Sequence, residues 1–261
     1  MERKYELLTD DTIIVSGHKL FRICASISFN NIEAGEKGGY IESEKNLAHE
    51  GDAWISGNAQ VSGNAHVTGN ARIYGNAHVT GNAWVSGNAH VTGNAQVSGD
   101  TLVSGNAHVT GNARIYGNAH VTGNARISGN AQVSGNAQID GDTCVFGETR
   151  VFGNAQVSGN AQIYGNAQIN GNAQIDGNAQ INGGACVSSD THYLCISPIG
   201  SRNDAITFAR TKEHKIAVAV GCFRGDIDQF EAQVKATHGE NEHTKAYMLA
   251  AQLARIRIDL S

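Results

Sequence analysis

The sequence predicts a mainly β protein: a long parallel solenoid of stacked coils, with a β-hairpin in front and a small α+β module behind. Three observations predict it. Glycine stands at position 51 and at every sixth residue through 183, which makes twenty-three in-register hexads without one insertion. Most hexads read Gly-Asn-Ala-x-Val/Ile-x. Beyond both ends of this block the period disappears, and ordinary strand alternation and helical spacing take over. The chain therefore divides into a capping segment (1–50), a repeat solenoid (51–190) and a C-terminal module (191–261).

Within a hexad, alanine and the branched aliphatic lie two residues apart, so on an extended strand they share one side and the x residues point away. Gly and Asn most readily take positive φ, so each Gly-Asn pair turns a corner. Ala beside Val leaves little interior volume and demands a narrow prism. Successive coils then stack as parallel strands about 4.8 Å apart, as in a solenoid. Ahead of the repeat, TIIVSGHKLFRICAS (12–26) reads as a hairpin around Ser16-Gly17-His18, expected to cap an edge that would otherwise aggregate.

Behind the repeat, DAITFAR and KIAVAVGCF read as two strands joined across Lys212-Glu213-His214. Two helices follow. The first is expected to start at Asp226 with Gln229 completing a capping box, to bury Ile227, Phe230 and Val234, and to stop at Gly239. The second starts at Asn241 and carries Ala246, Leu249, Leu253 and Ile256 as its apolar face. The expected module is ββαα.

Composition excludes several function classes. Lys and Arg number 19 against 24 Asp and Glu, for a net charge of −5, so no electrostatic footprint for nucleic acid is present. The strongest apolar run, IAVAVGCF (216–223), is too short to span a bilayer, and MERKYELLTDD lacks a signal-peptide core. A cytoplasmic protein without membrane contact is expected. The five cysteines (24, 144, 186, 195, 222) lack CxxC spacing and read as free thiols.

The hexads VSGNAQ, VTGNAR and IYGNAH resemble the hexapeptide pattern of left-handed parallel β-helix proteins, seen in bacterial acyltransferases and γ-class carbonic anhydrases. The resemblance implies three hexads per triangular coil, seven to eight coils, and left-handed winding. AGEKGGYIESEKNLAHEGDAWISGNA (34–59) resembles the lead-in of YdcK-like hexapeptide proteins and their phage-borne relatives, which carry an acetyltransferase label without assigned chemistry. SPIGSRNDAITF and GCFRGDIDQFEAQVKATHG resemble a small domain of prophage-encoded proteins, with no chemistry attached.

GNAHVTGNARIYGNAHVTGNA at 63–83 recurs at 105–125, a displacement of 42 residues or seven hexads. Seven is not a multiple of three, so with eighteen-residue coils His66 and its copy His108 fall on different faces. Duplication of this kind lengthens the rod and leaves no flat recognition array. Stepping by eighteen stacks His66, Trp84, Leu102 and His120 on one face, a candidate contact surface. Phe146, Phe152 and Tyr164 make a second aromatic surface, either for a partner or for the C-terminal segment folding back. His90 and His108 stack on a third row, but the close His pair of the γ-carbonic anhydrase pattern is missing, so no metal site is expected.

In the C-terminal module, Arg202, Asp204, Cys222, Arg224 and His238 gather as candidate ligand-binding residues, with Arg202 and Arg224 suited to clamp an anion. No residue is assigned a catalytic role, because the repeat is never interrupted by a loop that would frame a base. The expected function is that of a non-enzymatic, phage-derived binding or scaffold protein, without cofactor. It is expected to form a homo-oligomer, a trimer by preference, and to take a host or phage protein or a small anionic ligand. A counter-defence role, sequestering a host protein or a nucleotide signal, is included. The alternatives are a coenzyme A-dependent acetyltransferase and a phage structural or assembly protein.

Overall fold

A computed structural model describes residues 3–261. Strands β1 (Tyr5–Val15) and β2 (His18–Ala25) form the antiparallel front hairpin. Its turn is Ser16-Gly17, both at positive φ. β3 (Lys37–Ile41) pairs with β2 and then, in parallel, with Gln60–Val61, so the cap merges into the solenoid. Twenty-three two-residue strands follow, from Trp54–Ile55 to Cys186–Val187, one per hexad. They fall into three parallel sheets, and strands three hexads apart are neighbours in each. One face continues the cap as an 11-stranded sheet; the other two have 8 and 7 strands.

The hexad grammar accounts for this geometry. The inward Ala and Val/Ile side chains are fully or almost fully buried along the whole shaft. The corner glycines satisfy two demands at once: Gly81 has φ +71°, and a Cβ there would stand 2.7 Å from the backbone N of Gly99 in the next coil. The asparagines form ladders along the corners, each Nδ2 donating to the Oδ1 one coil on, as from Asn70 to Asn88 at 3.0 Å. Asp100 and Asp142 accept from Asn82 and Asn124 at 2.6 and 2.7 Å; a carboxylate has no proton to pass on.

Three hexads carry threonine at the inward small position, and the hydroxyls of Thr101, Thr143 and Thr149 are buried without a hydrogen-bond partner.

Between the two-residue strands and at the corners the backbone ladder has a recurring sense. N–H groups of one coil donate to carbonyls of the following coil, as from Trp54 to Ala71 (3.0 Å) and Gln60 to Ala77 (2.9 Å). The groups that need a partner from outside the shaft therefore include carbonyls of the first coil and N–H groups of the last. In front, Tyr40 N donates to Ala59 O at 2.9 Å, and two side chains imitate the missing backbone. Lys4 Nζ donates to Gly51 O (3.2 Å) and Ala53 O (2.9 Å), and Asn46 Nδ2 to Gly63 O (3.1 Å) and Ala65 O (2.8 Å). At the rear, Asp190 Oδ1 accepts from Gln174 N (2.8 Å) and Thr207 Oγ1 from Gln180 N (2.9 Å).

The C-terminal module has a four-stranded antiparallel sheet in sequence order: β4 (Tyr193–Ile199), β5 (Asp204–Arg210), β6 (Ile216–Val220) and β7 (Phe223–Asp226). Helices α1 (Ile227–His238) and α2 (Glu242–Arg257) follow. The expected hairpin is β5–β6, but β4 and β7 extend it on both sides, so the module is ββββαα. Alternation sorts the sheet's two faces. Tyr193, Cys195 and Ala209 join the core of the shaft, whereas Leu194, Ile196, Ile206, Phe208 and Val218 pack with the helices. The sheet is thus a plate between the last coil and the two helices.

Helix α1 matches the sequence reading: Asp226 caps it, Gln229 closes the box, Ile227, Phe230 and Val234 are buried, and Gly239 ends it. Helix α2 requires a correction. It buries Thr244, Tyr247, Ala250, Ala251 and Ala254, leaving Leu249, Leu253 and Ile256 exposed. Two stripes compete on this helix, and the alanine stripe won because small side chains let it lie close on the plate.

Candidate functional site

Strand β5 starts after a tight loop in which Gly200 and Asn203 both adopt positive φ. A Cβ on Gly200 would stand 1.9 Å from the Tyr247 hydroxyl, so the missing side chain lets the tyrosine of α2 reach over the loop. The β6–β7 turn at Gly221 comes close from the other side; a Cβ there would lie 3.5 Å from Asp204 Oδ2. Between these two turns and the C-terminal half of α1 lies a hollow of about 240 Å³.

Arg202, Asp204, Cys222 and His238, far apart in sequence, all line it, together with Phe223, Phe230, Gln233 and Tyr247. The aromatic rings form one cluster: Phe230 lies 5.6 Å from Phe223 and 5.7 Å from Tyr247, and His238 stacks tilted on Tyr247 at 5.9 Å. Burial, and secondarily the Asp204 carboxylate, push the Tyr247 phenol above its ordinary value, with Arg202 opposing; the hydroxyl stays protonated. Among the described residues, neither Arg202 nor Asp204 has an ion-pair partner. The sulfur of Cys222 is free.

Arg224, the fifth residue read from the sequence, stands elsewhere. Its Nε donates to Tyr164 Oη (2.5 Å) and its Nη2 to Gln180 Oε1 (2.7 Å), and its guanidinium lies 5.6 Å over the Tyr164 ring. It fastens the module to the shaft, so it does not pair with Arg202 around an anion. The sequence reading missed Phe223 and Tyr247 as lining residues. Tyr247 was legible only as the large aromatic opposite the leucine stripe of α2.

The surface residues of the shaft are distributed as follows. His66, Trp84, Leu102 and His120 stand in adjacent register on the 7-stranded face. Trp84 is exposed, with its Nε1 donating to Thr68 Oγ1 at 3.2 Å and its ring 5.7 Å from His66. His66 Nδ1 also meets the Lys45 carbonyl. His108 lies on the 8-stranded face, away from His66, with its ring 4.9 Å from His90. Burial, then His108 and Arg72, lower the His90 pKa, which disfavours a doubly charged pair. Phe146 stacks face to face on Tyr164 at 5.1 Å, so that part of the second aromatic surface leads into the module contact through Arg224. Phe152 lines a separate groove with Tyr116, Ser134 and Arg150.

Among the described residues no three His, Cys, Asp or Glu side chains converge as metal ligands. No helix among them is long and apolar enough to cross a membrane. No curated protein matches the chain. A family model described as the YdcK beta solenoid repeat matches residues 59–72, 71–87, 113–129 and 161–177. All four matches fall on the shaft, and with its stacked parallel coils they make this chain a β-solenoid protein whose repeat is similar to that of YdcK.

Proposed function

We propose that the protein is a non-enzymatic binding and scaffold protein: a rigid solenoid that holds out a C-terminal module to capture a small ligand with a flat ring and an anionic group. The observation that carries this reading is the convergence of Arg202, Asp204, Cys222 and His238 on a hollow lined by Phe223, Phe230 and Tyr247. Aromatic faces stack a planar ring, an unpaired guanidinium takes an anion in two parallel bonds, and an unpaired carboxylate accepts from ring N–H donors. A hollow of about 240 Å³ suits one ring.

A nucleotide signal meets these requirements. Its sequestration would be a counter-defence activity in the phage setting that the tail's resemblance suggests. Capture is favoured over turnover because Cys222 and His238, which both line the hollow, make no hydrogen bond to each other, and thiol catalysis needs an activating base in contact.

The test is the melting temperature of the purified protein against a panel of cyclic nucleotides. At least one is expected to raise it, and Arg202→Ala to abolish the rise while leaving the unliganded melt in place. No shift with any nucleotide sinks the nucleotide reading. The acetyltransferase alternative rests on the likeness of the repeat and needs a seat for coenzyme A. Calorimetric titration with acetyl coenzyme A decides it, and binding there would displace the capture reading.

A further inference from the structure

The residue that follows the inward aliphatic in each hexad stands beside a corner of the shaft. Phe146 and Tyr164 hold this place one coil apart; their rings lie 5.1 Å from each other, within 5° of parallel, and the Arg224 guanidinium lies over the Tyr164 ring. One coil is therefore the spacing of one stacked planar group. Tyr116 and Phe152 hold the same hexad place beside the 11-stranded face, but two coils apart, and the coil between them carries Ser134. With coils about 4.8 Å apart, the two aromatics are separated by about 9.6 Å along the shaft. A ring set midway would meet both within the roughly 4.5–7 Å of aromatic pairs. A hollow of about 200 Å³ lies at this place, lined by Tyr116, Ser134 and Phe152 together with Gln132 and Arg150.

The strands of the same face supply charge. Arg114, Gln132 and Arg150 stand in adjacent register, and Arg150 and Phe152 flank the inward Val151, so both turn outward. Among the described residues neither Arg114 nor Arg150 has an ion-pair partner, and neither guanidinium lies over a ring. The row they belong to, from Gln60 through Gln168, carries no acid. A cation between the rings is thus opposed by charge, and an anion is drawn in.

We propose that this gap is a second binding site, which takes an aromatic carboxylate: its ring occupies the level of Ser134 between Tyr116 and Phe152, and its carboxylate pairs with Arg150. The missing ring at Ser134 makes the place, and the unpaired guanidinium selects what fills it. None of the lining residues belongs to the hollow of the C-terminal module. The two sites therefore stand or fall separately.

Saturation-transfer NMR titration of the full chain with indole-3-carboxylate, and with cyclohexanecarboxylate as the puckered control, tests it. The aromatic acid is expected to bind saturably with a Kd of about 1 mM, and the control at least about tenfold more weakly. Ser134→Phe fills the gap with the chain's own ring and is expected to abolish binding. Tyr116→Ala, at an exposed site, is expected to weaken it without altering the circular dichroism spectrum, and Arg150→Gln to weaken it about tenfold. Arg202→Ala is expected to leave it unchanged. No saturable binding, equal binding of the puckered acid, or binding indifferent to both Ser134→Phe and Tyr116→Ala overturns the site. Loss of binding in Arg202→Ala assigns the signal to the other hollow and overturns it as well, and indifference to Arg150→Gln overturns the pairing with the carboxylate.

Discussion

The two ends of the solenoid face opposite chemical demands. Many ladder bonds run from the N–H groups of one coil to the carbonyls of the next, so carbonyls at the front edge and N–H groups at the rear edge need partners from outside the shaft, and side chains of the matching kind meet several of them. The front uses an ammonium and an amide, Lys4 and Asn46; the rear uses a carboxylate and a hydroxyl, Asp190 and Thr207. The difference is one of emphasis, since Glu42 Oε2 also accepts from Gly63 N at the front (2.6 Å) and Lys212 N donates to Gly184 O at the rear (3.3 Å). The front also costs more, since Lys4 is 2% exposed and burial lowers its pKa from 10.5 to about 8, with Asp52 opposing.

The sharpest way to break the comparison is to remove the front plug. Lys4→Ala strips two carbonyls of their donor and uncovers the Phe29 ring that the amine lies over. An expected loss of about 3 kcal/mol follows from leaving buried acceptors unpaired. Hydrogen exchange should show it as lost protection in the first coils, with the rear coils unaffected.

Next in size is pH. Below 8, folded and unfolded chains both carry the Lys4 proton and the burial penalty is present in full. Between 8 and 10.5 the native state releases it first, so the unfolded state binds more protons and stability rises with pH, by up to roughly 3 kcal/mol. Denaturant titrations of wild type and Lys4→Met should diverge in the wild type's favour over that window. A constant difference would show that the amine titrates normally.

At the rear, Thr207→Val keeps shape but takes the acceptor from the Gln180 N–H. A loss of about 2 kcal/mol is expected, seen as faster exchange of the last coil only. Arg224→Ala should cost about 1 kcal/mol and free the Tyr164 ring, which a rise in tyrosine accessibility would report. Away from both ends the sign reverses. Thr143→Val removes a buried hydroxyl with no partner and should raise stability by about 1 kcal/mol, measured by denaturant midpoint.

The shaft was legible from six-residue spacing alone, because Gly, Ala and Val at fixed places leave the backbone one way to pack. So was α1, whose cap, buried face and stop are local signals. Lys4 was not legible: within MERKYELL it reads as an ordinary surface charge, and it becomes a plug only when β1 crosses the mouth of the first coil. The hollow was half legible. Arg202, Asp204, Cys222 and His238 were drawn from polar turns and a helix end, but Arg224 directly follows the lining residue Phe223 on β7, and strand alternation turns it to the opposite face.

By itself, then, the sequence determined the repeating unit, its inward and outward sides, and the helix boundaries, all of which depend on neighbours within about one hexad or one helical turn. Tertiary structure decided which groups close the two ends, which stripe of α2 is buried and which polar residues share a cavity. Those outcomes depend on what the chain brings alongside from a distance. The closer approach offered by small side chains, and the need to pair every buried polar group, outweighed the larger apolar area of the leucine stripe.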